Sequence, residues 1–344
     1  MRSVFFPRLV NGPFGDPVLY VRVAHRRQAL LFDCGDLHRL SPRELLKVRQ
    51  VFISHAHIDH LIGFDTLLRQ FLYQDRGPVL YGPPGILQQI HHRLRSYTWN
   101  LISGYPLVLT VREWGESQGR EGLFRAAGAF RLEGEKPWDC TDGYLTAAGH
   151  YRVRAIPLDH GGIVSLAFVL EEPLHVGIHK DALESCGFQP GPWLTRFKDL
   201  LRAGSPGGTM IRVPLLSGGL RNVKLEELSN RIAHTERGMK VAYVTDVAPV
   251  GANLKKIVDL GKDAHLLVIE ATFLHCDLDR ARVRNHLTAR LAGTLGRRAG
   301  AARLWTFHHS PRYQDCPERV GDEADAAFRG GKDEDLAALF EQDG

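Results

Sequence analysis

Four side chains of metal-ligand type, His55, His57, Asp59 and His60, fall within six residues directly after the apolar run Val51-Phe52-Ile53 and before a stretch with helical spacing. On extended backbone, side chains two apart share a side, so His55 and His57 can converge on one ion. The turn that follows can swing Asp59 and His60 toward a second. Imidazole and carboxylate together suit zinc. Neither pair completes a coordination shell, so the fold must carry distant segments to the end of this strand.

Three other apolar runs end in the same kind of residue. Residues 151–158 lead into Asp159-His160-Gly161, 240–245 into Asp246, and 303–307 into His308-His309-Ser310. A lone histidine after a strand is more often a loop residue making an ordinary hydrogen bond. Recurrence at strand ends, beside the His55–His60 cluster, makes ligation the better reading of His160, Asp246 and His308. Asp33, in Phe32-Asp33-Cys34-Gly35-Asp36, is read as a buried acceptor that orients the histidine loop, as carboxylates behind metal-bound imidazoles do. His25, His91, His92 and His234 fit helix or loop surfaces and are given no chemistry.

Around these residues the chain reads as α/β. Strands are expected at 18–23, 29–32, 51–54, 107–111, 151–158, 165–170, 240–245, 266–269 and 303–307, with the opening residues as a further, first strand. Helical spacing places Ile62, Leu67, Leu68, Phe71 and Leu72 on one face, and further helices are expected at 86–97, 254–260 and 288–298. Two successive sets of mixed strands and helices predict an αββα sandwich of two sheets flanked by helices, a single domain over 1–344. Residues 171–221, rich in Pro and Gly, read as an excursion from that body, either a lid or an arm. The acidic end, 331–344, reads as a peripheral helix.

A length of 344 residues with 44% hydrophobic content supports a sizeable core. No apolar run approaches membrane-spanning length, and the start lacks the pattern of a signal peptide. Five scattered cysteines, never in CxxC spacing, argue against a disulfide framework or a thiolate cluster. A reducing cytoplasm is the expected compartment. The formal charge of +5 is compatible with a polyanionic partner but does not require one.

These residues, in this order, resemble the ribonuclease Z family of the metallo-β-lactamase superfamily. The resemblance runs from Asp33 through His55-Ala56-His57-Ile58-Asp59-His60, His160, Asp246, Glu270-Ala271-Thr272-Phe273 and His286-Leu287-Thr288-Ala289 to His308-His309-Ser310-Pro311-Arg312-Tyr313. It implies that His55, His57 and His160 hold one zinc, that Asp59, His60 and His308 hold another, and that Asp246 bridges them. Manganese, iron or cobalt would suit the same ligands. It also implies that Glu270 supports His286 as acid toward the leaving oxygen, and that Ser310 and Arg312 lie by the scissile phosphate. In hydrolysis at such a pair of metals, Asp59 is expected to accept a proton from the attacking water or to orient the hydroxide. A precursor tRNA substrate and a homodimer follow from the same likeness.

Ile58 stands where the family usually has Gly, and His309 where it usually has Phe. The stretch between His60 and His160 is also longer than usual. The family's tRNA-gripping arm finds a counterpart in Gly187-Phe188-Gln189-Pro190-Gly191-Pro192-Trp193-Leu194, followed by Arg196, Lys198 and Arg202. A hydrolase of a small phosphodiester, such as a cyclic nucleotide, is the nearest alternative. A non-catalytic RNA binder is disfavoured by the full ligand set.

Overall fold

The computed structural model describes residues 4–140 and 143–330. The tail at 331–344, expected to be a helix, lies outside them. Two compact units emerge, the first built from residues up to Leu145, Arg154–Val169 and Lys240 onward.

In the first unit an eight-stranded sheet runs in chain order: β1 (Phe5–Leu9), β2 (Leu19–Val23), β3 (Ala29–Phe32), β4 (Val48–Phe52), β5 (Val79–Gly82), β6 (Val108–Glu113), β7 (Gly119–Arg125) and β8 (Leu132–Trp138). Strands β3 to β6 pair in parallel, and the outer pairings are antiparallel. Then come β9 (Tyr144–Ala148), β10 (Tyr151–His160) and β11 (Ile163–Glu171). Four strands of the second unit follow, β12 (Leu174–Ile178), β13 (Met210–Pro214), β14 (Leu220–Lys224) and β15 (Ala233–Arg237). The chain returns with β16 (Lys240–Val244), β17 (Leu266–Glu270) and β18 (Leu304–Phe307), which are parallel neighbours. The second large sheet has the order β18-β17-β16-β11-β10-β9.

Alternation along the strands makes the layers. Phe32 packs 5.7 Å from Phe168 on β11 and 5.8 Å from Tyr243 on β16, ring centre to ring centre, and Phe52 lies 5.8 Å from Phe168. One face of each sheet therefore meets the other sheet. Their neighbours Ala29, Leu31 and Val51 point the opposite way, into a core with Phe64, Leu67 and Phe71 of helix Phe64–Phe71 and Ile86, Ile90 and Leu94 of helix Ile86–Arg95. Behind the second sheet, Ala242, Val244, Leu267 and Ile269 pack against helices Gly251–Gly261, Ala289–Arg298 and Glu318–Gly330. The result is the αββα sandwich.

Ile62 departs from the expected apolar face and is 43% exposed. The sequence reads as one helix after His60, but the structure makes a short turn, Ile58–Leu61, and then restarts at Phe64. The break falls at Gly63, where a Cβ would come within 2.0 Å of the Gly35 carbonyl oxygen. That close approach clamps the loop after β3 onto the histidine loop and turns Ile62 outward.

The second unit comprises Thr146–Val153 and Leu170–Met239. Antiparallel pairs β12–β15 and β13–β14 enclose, with helices Trp193–Arg202 and Leu225–Ile232, a core of its own that includes Phe188, Trp193, Phe197, Ile211 and Leu228. The excursion expected at 171–221 lies inside this unit, which runs on to Met239 because β15 returns to pair with β12. Phe188 and Trp193 of the Gly-Pro element are core residues here. Arg202 is also interior, 3.0 Å from the fully buried Glu172 carboxylate, which accepts in addition from His175 Nδ1. Among the described residues no helix is long and apolar enough to cross a membrane.

Removing the Phe168 ring should open a cavity between the sheets. Phe168→Ala is expected to cost about 3–5 kcal/mol of folding free energy, read as a lowered urea midpoint. A midpoint equal to that of the parent would show that this ring does not hold the two sheets together.

Candidate metal centre

The site gathers at the carboxyl ends of strands, where open α/β sheets place ligands. After β4 the backbone of Ser54 donates to Asp33 Oδ1 at 2.7 Å, and the Ser54 hydroxyl donates to the same carboxylate at 2.9 Å. That hydroxyl has given up its proton, so it accepts from His55 Nδ1, 3.0 Å away. His55 is thereby fixed with a bare Nε2. His60 Nδ1 donates to Asp33 Oδ2 at 2.9 Å, again leaving Nε2 free. His160, at the end of β10, donates from Nδ1 to the Asn285 carbonyl at 2.9 Å.

A matching device serves His308. The Thr272 hydroxyl donates to Glu270 Oε2 at 2.6 Å and accepts from His308 Nδ1 at 3.2 Å, which turns His308 Nε2 toward Asp59 Oδ2, 3.1 Å away. In both halves a hydroxyl donates to a buried carboxylate and accepts from an imidazole, which sets the tautomer.

The freed atoms converge. Asp246 Oδ2 lies 3.6 Å from His55 Nε2, 3.4 Å from His60 Nε2 and 3.8 Å from His160 Nε2. Its other oxygen is 3.6 Å from His308 Nδ1, and Asp59 Oδ2 is 3.4 Å from His60 Nε2. Ligand atoms of His55, His57, His160 and Asp246 all lie within 4.8 Å of one another, as do those of Asp59, His60 and His308. The structure thus brings all seven expected ligands together.

Whether an ion suits this cage is decided by two buried nitrogens. His55 Nε2 and His60 Nε2 have no hydrogen-bond partner, and an unpaired buried polar atom costs about 1–3 kcal/mol. A divalent cation satisfies both. Burial, reinforced by His60, lowers the His55 pKa to about 2, so its imidazole is a neutral donor. Burial also lowers that of His160. For His60 burial acts against the charged form, but Asp246 and Asp33 outweigh it and raise the pKa well above the ordinary value. The donor set, imidazole and carboxylate, fits zinc.

Glu270 and His286 sit beside the cage. The Glu270 carboxylate is fully buried, accepts from the Val247 amide at 2.9 Å, and holds His286 Nδ1 at 3.1 Å. Burial opposes protonation of His286, yet Glu270 and Asp246 raise its pKa to about 9. Its ring centre is 5.3 Å from that of His160 and 5.3 Å from that of His308.

Of the remaining expected residues, Ser310 follows His308 and its amide donates to the Thr272 carbonyl at 3.0 Å. Arg312 lies on the short turn Pro311–Tyr313, where its guanidinium meets Asp277 at 3.2 Å. His309 turns away from the ligands: it packs edge-on to Phe14, its Nε2 is 3.1 Å from Thr306 Oγ1, and burial lowers its pKa to about 4. Reading the sequence missed four supports. Thr272 stood in a quoted motif without a role. Tyr243, whose hydroxyl donates to Asp33 at 2.8 Å, looked like an ordinary strand aromatic. Asn253, buried at the start of a helix, pins the end of β10 through the Asp159 backbone, 2.9 Å and 3.1 Å away. Asn285 shows as an Asn before the catalytic-type His286, and it takes a left-handed conformation, φ 57°. Its side chain fills the space beside Gly161, where a Cβ would meet it at 2.4 Å.

Comparison with known proteins agrees with this geometry. Residues 28–175 match the family model of a β-lactamase superfamily domain. Ribonuclease Z of Deinococcus radiodurans is 32% identical over 316 residues, covering 90% of this chain and 92% of that protein. Among solved structures, a metallo-β-lactamase-fold protein from Bacillus subtilis superposes with a TM-score of 0.52 at 15% identity, covering 94% and 92% of the two chains. The short form of human tRNase Z gives 0.50 at 19% identity, covering 90% and 93%. With seven side chains able to hold metal gathered beyond the strand ends and the Glu270–His286 pair beside them, the chain belongs to the ribonuclease Z family of metallo-β-lactamase-fold hydrolases.

Proposed function

We propose that this hydrolase is a zinc-dependent endonuclease that removes the 3′ trailer of precursor tRNA. The observation that carries the reading is the position of His286: supported by a buried carboxylate, it stands equally close to the imidazoles of both ligand groups, His160 and His308. A hydrolase that breaks a bond to ribose needs a proton donor there, because an alkoxide leaves poorly.

His55, His57, His160 and Asp246 would hold one zinc, and Asp59, His60, His308 and Asp246 the other. Two bound ions would supply Lewis-acid stabilisation of the phosphoryl oxygens and acidify water from a pKa of 15.7 toward about 7. Burial favours the protonated form of Asp59, but its neighbours His308 and His60 hold its pKa below the ordinary value; this carboxylate orients the attacking water and takes its proton. Ser310 and Arg312 contact the scissile phosphate, Arg312 sharing its charge between the phosphate and Asp277. As the bond from phosphorus to the ribose 3′-oxygen breaks, His286 gives that oxygen a proton. The products are an upstream 3′-hydroxyl and a trailer with a 5′-phosphate. The family likeness supports action as a homodimer, and the scattered cysteines, all free, support a reducing cytoplasm.

Precursor tRNA and cyclic nucleotides, assayed side by side, test the substrate. Trailer release with a 3′-hydroxyl is expected; a 2′,3′-cyclic phosphate end, or cleavage of cyclic nucleotides only, would overturn the reading.

His286→Ala should lower kcat for precursor tRNA roughly 10²–10⁴-fold, with the zinc content of the protein unchanged. Glu270→Gln removes the charge that favours the imidazolium. Since the acid form of His286 is the active one, activity falls as pH rises through its pKa, and this variant should move that basic limb to lower pH. An unmoved limb would assign it to another group.

Chelation should leave the buried Nε2 atoms of His55 and His60 unpaired, so it is expected to lower the melting temperature as well as abolish activity. Elemental analysis should find two zinc ions per chain, and Asp246→Ala should lose both. Full zinc occupancy in that variant would remove Asp246 from the bridging position.

A further inference from the structure

A second pocket lies far from the metal cage in the same unit. It is a half-open cavity of about 530 Å³ lined by His91, Arg95, Tyr97, Trp99, Asn100 and Arg131, with Ala129 and Leu132 closing the wall. That volume is within the usual span of small-ligand sites, about 300–1,000 Å³. Helix Ile86–Arg95 begins after the carboxyl end of β5 and runs back across the sheet, so Arg95 sits a helix length, about 15 Å, from the rim that carries the cage.

Its aromatic walls are set in advance. The Trp99 indole donates from Nε1 to the Leu94 carbonyl at 2.7 Å and packs edge-on to Phe130 at 4.9 Å. Tyr97 meets Trp99 at 5.6 Å, and its hydroxyl is held by the Asp65–Arg93 ion pair, itself 2.5 Å long. The Leu94 and Arg93 carbonyls at the helix end are taken by Trp99 and Ser96, so they do not aim acceptors at the cavity.

Cations are available and uncompensated. No acidic residue lines the cavity. Arg93, Arg112, Arg120 and Arg125 all have carboxylate partners, whereas among the described residues Arg95 and Arg131 have none. Arg131 is presented by a turn in which Ala129 and Phe130 are both left-handed, φ 53° and 52°. Two successive non-glycine residues in that region cost energy, and the turn is closed by Phe130 N–H to the Arg125 carbonyl at 2.9 Å.

Flat aromatic walls, two free guanidiniums and one amide suit a ligand that joins an aromatic ring to a phosphate. We propose that this pocket binds a nucleotide, its base against Tyr97 and Trp99, its phosphate between Arg95 and Arg131, and its base edge read by Asn100. Arginine recognises phosphate with paired donors, and aromatic rings stack any base. The ligand is either a free mononucleotide or the phosphorylated end of an RNA chain. Binding here is measured without cleavage, so it stands or falls apart from the tRNA reading.

Calorimetric titration of AMP into the zinc-loaded full chain, beside Arg95→Ala/Arg131→Ala, tests it. AMP should bind the parent, and the double variant should lose roughly tenfold or more in affinity while hydrolysing bis(p-nitrophenyl) phosphate at the parent rate. Adenosine and ribose 5-phosphate should each bind the parent at least about tenfold more weakly than AMP, since each lacks one half of the recognised chemistry. Trp99→Leu gives an independent check through the base. A 5′-phosphorylated tetranucleotide that binds more tightly than AMP assigns the pocket to an RNA end, and one that binds no more tightly assigns it to free nucleotide. Equal AMP affinity in the parent and the double variant, or no binding to either, overturns the proposal.

Discussion

The buried Asp33 carboxylate is the constraint on which the rest of the centre depends. It sits in a left-handed conformation, φ 57°, just after β3, with no exposure to solvent. Four donors surround it: the Ser54 amide, the Ser54 hydroxyl, His60 Nδ1 and the Tyr243 hydroxyl. Tyr243 comes from the second sheet, so one buried carboxyl group ties the two sheets together and orients His60 directly and His55 through Ser54. A carboxyl group buried in such a place is stable only because its oxygens all find hydrogen-bond partners. The same buried network that joins the layers therefore decides where the ligand atoms point.

Left-handed backbone recurs at the other places where a strand delivers a functional residue. Asp246, φ 34°, follows β16 closely and His308, φ 58°, follows β18, while Asn285, φ 57°, holds His160. Asp, Asn and His tolerate this region better than most side chains do. Asp246 and His308 stand just past their strands, whereas Asn285 ends the helix Leu278–Arg284. Local strain is accepted there because parallel strands and packed helices hold both ends of the turn.

The two hydroxyl relays show a shared solution in both halves. Ser54 stands between Asp33 and His55, and Thr272 between Glu270 and His308. In each, proton direction is dictated by the carboxylate, which cannot donate, and the imidazole must then present a bare nitrogen to the cage. Glu270 has a second task, holding His286 in its protonated form beside the ligands. Burial lowers the pKa of His160 while Glu270 raises that of His286, so two imidazoles with ring centres 5.3 Å apart are pushed to opposite protonation states.

Much of this was legible in the chain alone. The His55–His60 cluster and the strand runs ending in His160, Asp246 and His308 pointed to the seven side chains that the fold brings together. Asp33 was readable as a buried acceptor from its place after an apolar strand. The apolar repeats located the helices behind each sheet. Strands β5, β7 and β8 were not foreseen: β5 is apolar but only four residues long, and β8 is largely exposed and displays no apolar run. The second unit extended past its expected end because pairing of β15 with β12 is a long-range contact that no local pattern announces.

Residue types and order determined that two metals with imidazole and carboxylate ligands could be held at strand ends, because those side chains have few other uses in such density. Only the tertiary structure decided which nitrogen each histidine offers, that Thr272, Tyr243, Asn253 and Asn285 support them, and that Arg95, Tyr97, Trp99 and Arg131 share a pocket. Hydrogen-bond direction and cavity shape arise between residues far apart in the chain, and their geometry exists only once the sheets and helices have packed.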